Sequence, residues 1–336
     1  MKSNYAFFIC SNKGYIPFLN VLLNSLDKHK INNIDVYLMY YEFDLDYLEK
    51  VKNSFNFNLI PIEIKKDDFN IHEFNKKNKN LFIKQSRFKY IKEYGQKYDA
   101  ICMLDADMFI ATPNFMNLFK IVQNTNKLIA CNERYKWYFD SKYILDGEKI
   151  FDYPVRANKF HCSVPIIFDI KKWEEVFNFY NKMAYNSFEI NEKNEIIKPI
   201  GDIYCWNISV YKNNRQNDVI LFPMETMTQV HQTNSINWTR IIKNNEIWLT
   251  NAGDEVFSIH GRIGNPGWRK MHINKLNKII EKGNNVSDNF INKNKAKLNM
   301  EKTLRLIEQE WYYLNVNHKI NIYDFVPKNK YWEKIK

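Results

Sequence analysis

The chain has 336 residues, 45% hydrophobic and 16% aromatic, enough to fill the core of one large α/β domain or of two smaller ones. No run of about 18 apolar residues occurs, which excludes a membrane-spanning helix. With 49 Lys and Arg against 38 Asp and Glu the formal charge is +11, which favours anionic partners (nucleic acid, anionic lipid or nucleotide phosphates) without choosing among them.

Met1-Lys2-Ser3-Asn4 passes into an apolar segment that breaks at Ser11-Asn12-Lys13 and lacks a small-residue cleavage site, a poor pattern for a secretory signal. Residues 5–10 predict a first strand, ending in the polar turn Ser11-Asn12-Lys13-Gly14-Tyr15. Ile16 to His29 follows at helical spacing, with Phe18, Val21, Leu22, Ser25 and Leu26 on one face. Asp35 to Tyr40 predicts a second strand, Leu45 to Phe55 a second helix, and Leu59 to Ile64 a third strand whose Pro61 suits an edge or a bulge. This alternation predicts a parallel sheet with right-handed crossovers, and such sheets bind ligands at the carboxyl ends of their strands. Residues 67–80 are polar and rich in Asn and Lys, a loop, and a helix from Phe82 to Tyr94 carries Arg87 towards the ligand end.

Ala100 to Leu104 is an apolar run that reads as a buried strand, and it delivers Asp105 and Asp107 with only Ala106 between them. Two carboxylates leaving a buried strand repel each other unless a cation neutralises them. Hard divalent ions such as Mg2+ and Mn2+ prefer oxygen ligands and bridge readily to phosphates. Taken alone, an Asp-x-Asp tripeptide is more commonly a pair of solvated turn residues.

Beyond it, Phe115 to Asn124 predicts a helix and Leu128 to Cys131 a strand, while residues 133–160 lack periodicity and read as a substrate-facing insertion. Phe160 to Ile170 is strand-like, and Lys171 to Ala184 is an amphipathic helix entered through Trp173. Residues 186–198 are a polar excursion before Pro199-Ile200-Gly201-Asp202, residues 203–212 a helix, and Val219 to Phe222 a short strand. Gly-Asp ahead of an apolar run fits a helix N-cap as well as a functional carboxylate at Asp202. Residues 275–300 are rich in Asn and Lys, and residues 301–316 set Leu304, Ile307, Trp311 and Leu314 on one helical stripe. Residues 291–336 hold ten Lys and Arg against five Asp and Glu, almost half of the net charge. Mixed with Trp and Tyr from Val326 to Lys336, that charge suits an anionic membrane surface, with an ordinary solvated tail as the alternative. Nucleic acid is not an expected partner: no recognised motif is present and the charge gathers in the tail. The five cysteines, Cys10, Cys102, Cys131, Cys162 and Cys205, lie mostly in apolar runs without zinc-type spacing, as buried thiols in a reducing compartment do, so the expected location is the cytoplasm.

A second motif is Phe257-Ser258-Ile259-His260-Gly261-Arg262-Ile263-Gly264-Asn265-Pro266-Gly267-Trp268. A histidine leaving an apolar strand is usually structural. Here it precedes a Gly/Pro-rich turn that lets backbone approach a phosphate, and imidazole can complete a carboxylate metal site. With this element the chain resembles the nucleotide-sugar glycosyltransferases of the GT-A fold, most closely family 8. The similar segments are residues 97–108, Phe18 to Leu26, Arg87 ahead of the Asp-x-Asp, Ile170-Lys171-Lys172-Trp173 and the histidine element, spread over residues 5–270.

The resemblance implies an α/β fold with a Rossmann-like, mostly parallel central sheet flanked by helices. It implies a catalytic domain at residues 1–272 and leaves a helical, basic C-terminal extension at 273–336. Asp105, Asp107 and His260 are the implied ligands of Mn2+ or Mg2+. Ser11, Asn12 and Tyr15 would cradle the nucleoside, with Arg87, Ala106 and Gly264 completing the donor site. Asp202 would lie at the reaction centre, contacting the donor sugar or acting as a base. The expected reaction moves a hexose from a nucleotide diphosphate-sugar, UDP-hexose by the resemblance, to a saccharide or lipid-linked glycan acceptor in surface polysaccharide assembly, with retention of configuration. The alternatives are inversion with Asp202 as base and a non-catalytic nucleotide-binding relative. Trp206, His231 and Trp238 are candidates for stacking on acceptor sugars, though core packing is the commoner role for any one of them, and the tail is a candidate for peripheral attachment at the inner membrane face.

The sequence also departs from the family pattern. Asn12 stands where the family carries its uracil-reading Asp, though an amide oxygen still accepts from a base N–H. Cys162-Ser163-Val164 replaces the sugar-facing Asn-Ser/Ala-Gly, and Ile200-Gly201-Asp202 lacks the first carboxylate and the glutamine of Asp-Gln-Asp. The phosphate-binding Lys of the histidine element is missing, with Arg262, Arg269 and Lys270 nearby to replace its charge.

Overall fold

A computed structural model describes residues 4–65, 79–132, 137–157, 162–229, 242–244, 246–250, 252–261 and 293–328, together with residues 270, 271, 273, 274, 277, 278 and 281. Strands β1 (Tyr5–Asn12), β2 (Asp35–Tyr41) and β3 (Asn58–Glu63) alternate with helices α1 (Ile16–Lys28) and α2 (Leu45–Ser54), and the three strands pair in parallel. Ala6 to Ile9 are fully buried, as expected of a strand covered on both faces, which reads as an apolar run instead of an alternation. β3 is an edge strand, where the missing N–H of Pro61 interrupts no ladder beyond it.

The chain continues through α3 (Lys79–Tyr94), β4 (Ala100–Asp105), β5 (Met108–Ile110), α4 (Phe115–Thr125) and β6 (Leu128–Asn132). Then come β7 (Cys162–Phe168), α5 (Glu174–Asn186), α6 (Asp202–Lys212), β8 (Val219–Phe222), β9 (Met227–Gln229), β10 (Ser258–His260) and α7 (Lys293–Tyr312). The seven-stranded sheet runs β3-β2-β1-β4-β7-β6-β8. β7 is antiparallel to both neighbours and every other pairing is parallel. The mostly parallel sheet expected from the alternation is therefore present, with one reversed strand that the pattern did not distinguish. The reversal is useful. Because Ile166 faces Met103 and Phe168 faces Ile101, the start of β7, Cys162 to Val164, lies at the carboxyl end of β4.

Residues 187–199 are not simply a polar excursion. Ser187–Ile190 and Ile196–Pro199 form two strands of a four-stranded sheet with Tyr143–Leu145 and Glu148–Lys149. Phe188 and Ile190 alternate with Glu189 and bury a small cluster with Ile144, a period-two signal diluted by charged neighbours.

Among the described residues no helix is long and apolar enough to cross a membrane. All five cysteines are buried. In α7 and just beyond it, Leu304, Ile307, Trp311 and Leu314 are buried in the same apolar cluster as the sheet, so the predicted stripe is the docking face. The basic end, 329–336, lies outside the described residues, as do residues 66–78 of the polar loop.

Candidate metal centre

The register of β1 on β4 sets Cys10 beside Asp105, so the polar turn after β1 and the carboxylates after β4 share one end of the sheet. β10 adds the third group. It pairs antiparallel with β5, His260 opposite Met108, in a separate three-stranded sheet. Gly261 N donates to the Asp107 carbonyl at 2.9 Å, which secures the segment after His260 against the Asp-x-Asp turn. His260 Nε2 thus lies 3.2 Å from Asp107 Oδ1 and 3.8 Å from Asp105 Oδ2, across 153 residues of sequence.

One ligand atom each from Asp105, Asp107 and His260 fall within 4.8 Å of one another. Two ligands of a small divalent ion at bonds of about 2.1 Å are separated by about 3 to 4.2 Å, so the three atoms need only small adjustments to share one ion. Two carboxylates and an imidazole are a donor set that suits a divalent cation and would leave further coordination positions open.

Arg87, fully buried on α3, organises the opposite side. Its Nη1 donates to the Leu104 carbonyl at 3.0 Å and to Asp105 Oδ1 at 3.3 Å, while Nη2 lies 3.6 Å from Asp202 Oδ2. Burial alone disfavours the guanidinium charge, but Asp105 above all, with Asp202 adding to it, outweighs burial and raises the Arg87 pKa. Among the described residues the cluster sets three carboxylates against one guanidinium and one imidazole. That leaves negative charge in a largely water-excluded place, which a divalent cation would neutralise.

Asp202 is the first residue of α6 and not its cap. Gly201 occupies the N-cap position, and the Asp202 side chain turns to Arg87. The hydroxyl of Tyr180 and the thiol of Cys205 nearby are both driven upwards by burial, with the Asp202 charge adding to it, Cys205 to about 12. At the end of β1, Ser11 is buried. Asn12 Oδ1 accepts from Gly14 N at 2.9 Å and caps the 3-10 turn Lys13–Tyr15, so the oxygen expected to read a base already has one partner. A Cβ on Gly14 would come within 3.2 Å of that oxygen, a crowding that glycine avoids. Tyr15 packs on Phe18, ring centroids 5.5 Å apart. Ala106 is buried between the two aspartates.

Several solved glycosyltransferases are similar in shape. A mutant of LgtC covers 87% of this chain and 99% of its own, at 14% identity and a TM-score of 0.47. The galactosyltransferase LgtC with donor and acceptor sugar analogues covers 68% and 77%, at 15% identity and a TM-score of 0.42. The bifunctional WbbM covers 67% of this chain at 13% identity and a TM-score of 0.42, and this chain spans only 39% of WbbM. No family model and no curated protein sequence matches. At these identities and scores the likeness decides nothing about chemistry, which rests on the side chains gathered at the strand ends.

Not every expected residue joins the site. Trp206 is fully buried between Phe168 and Tyr180, centroids 5.3 and 4.8 Å away, and so belongs to the core and cannot stack on an acceptor. Gly264, Arg262, Arg269, His231 and Trp238 lie outside the described residues, and Lys270 is exposed. Conversely, Asn207 bonds both backbone groups of Cys162, accepting from its N–H at 2.7 Å and donating to its carbonyl at 2.9 Å. It locks the start of β7 to α6, and its one sequence signal is an amide inside the apolar run Cys205 to Val210.

Proposed function

We propose that the protein is a metal-dependent glycosyltransferase that moves a hexose from a nucleoside diphosphate-sugar to a saccharide or lipid-linked glycan. The observation that carries this reading is the convergence of Asp105, Asp107 and His260 at the carboxyl end of a mostly parallel sheet, beside the polar turn at residues 11–15. In this reading the three residues hold Mn2+ or Mg2+, which supplies Lewis-acid stabilisation of the departing diphosphate. Ser11, Asn12 and Tyr15 bind the nucleoside, UDP by the resemblance, while Ala106 gives the donor room at the strand end and Gly264 lets backbone approach its phosphates. Arg87 fixes the orientation of Asp105 and Asp202. Asp202, held by that arginine, positions the donor sugar, which supports retention over deprotonation of an acceptor. The catalytic residues lie within the 1–272 domain, against which α7 of the extension packs. The basic, aromatic end of the 273–336 extension supports peripheral attachment to an anionic membrane from the cytoplasmic side, in surface polysaccharide assembly.

A panel of nucleotide sugars with Mn2+, read by thermal shift and by slow donor hydrolysis, tests the reading. One donor should stabilise the protein and be hydrolysed, and Asp107→Asn should lose both responses. No response to any donor would leave at most a binding protein without this chemistry. Asp202→Asn should lower transfer by about 100-fold or more while Mn2+ affinity stays near wild type. An inverted product anomer would instead favour the alternative in which Asp202 acts as the base.

A further inference from the structure

We infer that Trp311 of α7 is a positioning residue of the metal centre, so that the C-terminal helix completes the site; this rests on Asp105, Asp107 and His260 holding the ion. Phe18, Asp107, Met108, Phe109, Gly261 and Trp311 line a narrow space between α1, β5 and α7. Asp107 is engaged by His260 and, through its backbone, by Gly261. Behind it stand Trp311, 2% exposed, and Phe18, 9% exposed, their rings 6.3 Å apart. The indole forms one wall of the space that Asp107 also lines, so it would limit how far the carboxylate can turn away from a bound ion and how closely water can approach it from that side, where a lower local dielectric would strengthen the attraction. Removing the indole opens a space with a carboxylate in its wall, and water would fill it and compete for Asp107.

α7 is braced to hold this wall. Asn20 donates to Asn315 Oδ1 at 2.8 Å and to the Ile320 carbonyl at 3.0 Å, and Asn24 donates to the Leu314 carbonyl at 2.7 Å. Lys28 meets Glu310 at 2.6 Å. All three anchors lie on α1, which also grips β5 through Ser25 Oγ, the acceptor of the Ile110 N–H at 3.0 Å. The other stripe residues, Leu304, Ile307 and Leu314, are as deeply buried as Trp311 but do not line the cavity beside Asp107, which separates packing from positioning.

The test is Mn2+ affinity of the full chain, from electron paramagnetic resonance of free Mn2+, for wild type, Trp311→Ala, Trp311→Phe, Leu304→Ala and, as the baseline for a lost site, Asp107→Asn. Trp311→Ala should weaken binding by about 10-fold or more, in the range expected of groups that hold a metal ligand in place, and Trp311→Phe by a smaller but measurable factor. Leu304→Ala should lower the melting temperature yet bind Mn2+ like wild type. Wild-type affinity in Trp311→Ala, or in Trp311→Phe should the alanine variant not fold, overturns the positioning role, as does equal weakening by Leu304→Ala. A wild-type protein that binds Mn2+ no better than Asp107→Asn overturns the metal reading itself, and this inference with it.

Discussion

Arg87 is the residue on which the electrostatics of the site turn. Its guanidinium is fully buried, touches Asp105 at 3.3 Å and faces Asp202 at 3.6 Å, so it is the counter-charge that lets two carboxylates persist beneath the strand ends. Breaking a buried pair by removing one partner leaves the other charge uncompensated, a loss of about 3–5 kcal/mol. Arg87→Met should therefore lower the unfolding free energy by that amount in the absence of metal. Because Asp105 can exchange one counter-cation for another, millimolar Mn2+ should restore more of the melting temperature in Arg87→Met than it adds to wild type. Thermal denaturation of both proteins with and without Mn2+ measures this. Equal metal-induced shifts would mean that Arg87 and the ion do not share Asp105.

At the scale of elements, the site exists because pairings remote in sequence are fixed by local contacts. β10 on β5 delivers His260, and the seam between α1 and the C-terminal segment holds α7 in place through Asn20 and Asn24. Asn20→Ala removes the donor to Asn315 Oδ1 and one of two donors to the Ile320 carbonyl, leaving buried acceptors short of partners. That should cost about 2–3 kcal/mol in urea unfolding and expose the chain beyond residue 293 to limited proteolysis before the sheet. Simultaneous cleavage of both regions would show that the seam is no weaker than the core. Neither contact was legible beforehand. β1, β2, β4 and β6 announced themselves as apolar runs because both of their faces are covered, and Pro61 marked the edge. The direction of β7 was hidden, since an apolar run looks the same either way. The 187–199 hairpin was hidden because its short alternation sits among charges. Asn20 and Asn24, polar positions inside an apolar helix, were the visible trace of the seam, but nothing local named Asn315 as the partner. Asp105, Asp107 and His260 were recognisable only together, through a resemblance spanning most of the chain, and Trp311 read as packing because its helix is amphipathic.

At the scale of the whole molecule, the seam also carries a pH dependence. His29 closes α1 next to Lys28, which is bound to Glu310 and Glu246 at 2.6 and 2.8 Å. Burial first, and then the Lys28 charge, push the His29 pKa down from 6.5 to about 4, the glutamates only partly opposing them. The unfolded chain takes up this proton near pH 6.5 and the folded chain only near pH 4, so between those values the unfolded state binds more protons. Stability from this group is complete above pH 6.5 and drains away as the pH falls towards 4, by about 1–3 kcal/mol after allowance for partial exposure. Carboxylates contribute to acid unfolding as well, so the informative quantity is the difference from His29→Gln, which keeps much of the size but cannot be protonated. Urea unfolding from pH 8.5 to pH 4.5 should show wild type losing stability more steeply than the variant below pH 7, with the two curves parallel above it. Parallel curves throughout would mean that His29 accepts its proton in the folded state as readily as in the unfolded chain. The strain of acidification would then fall on the carboxylates alone, and the joint between α1 and α7 would not loosen first.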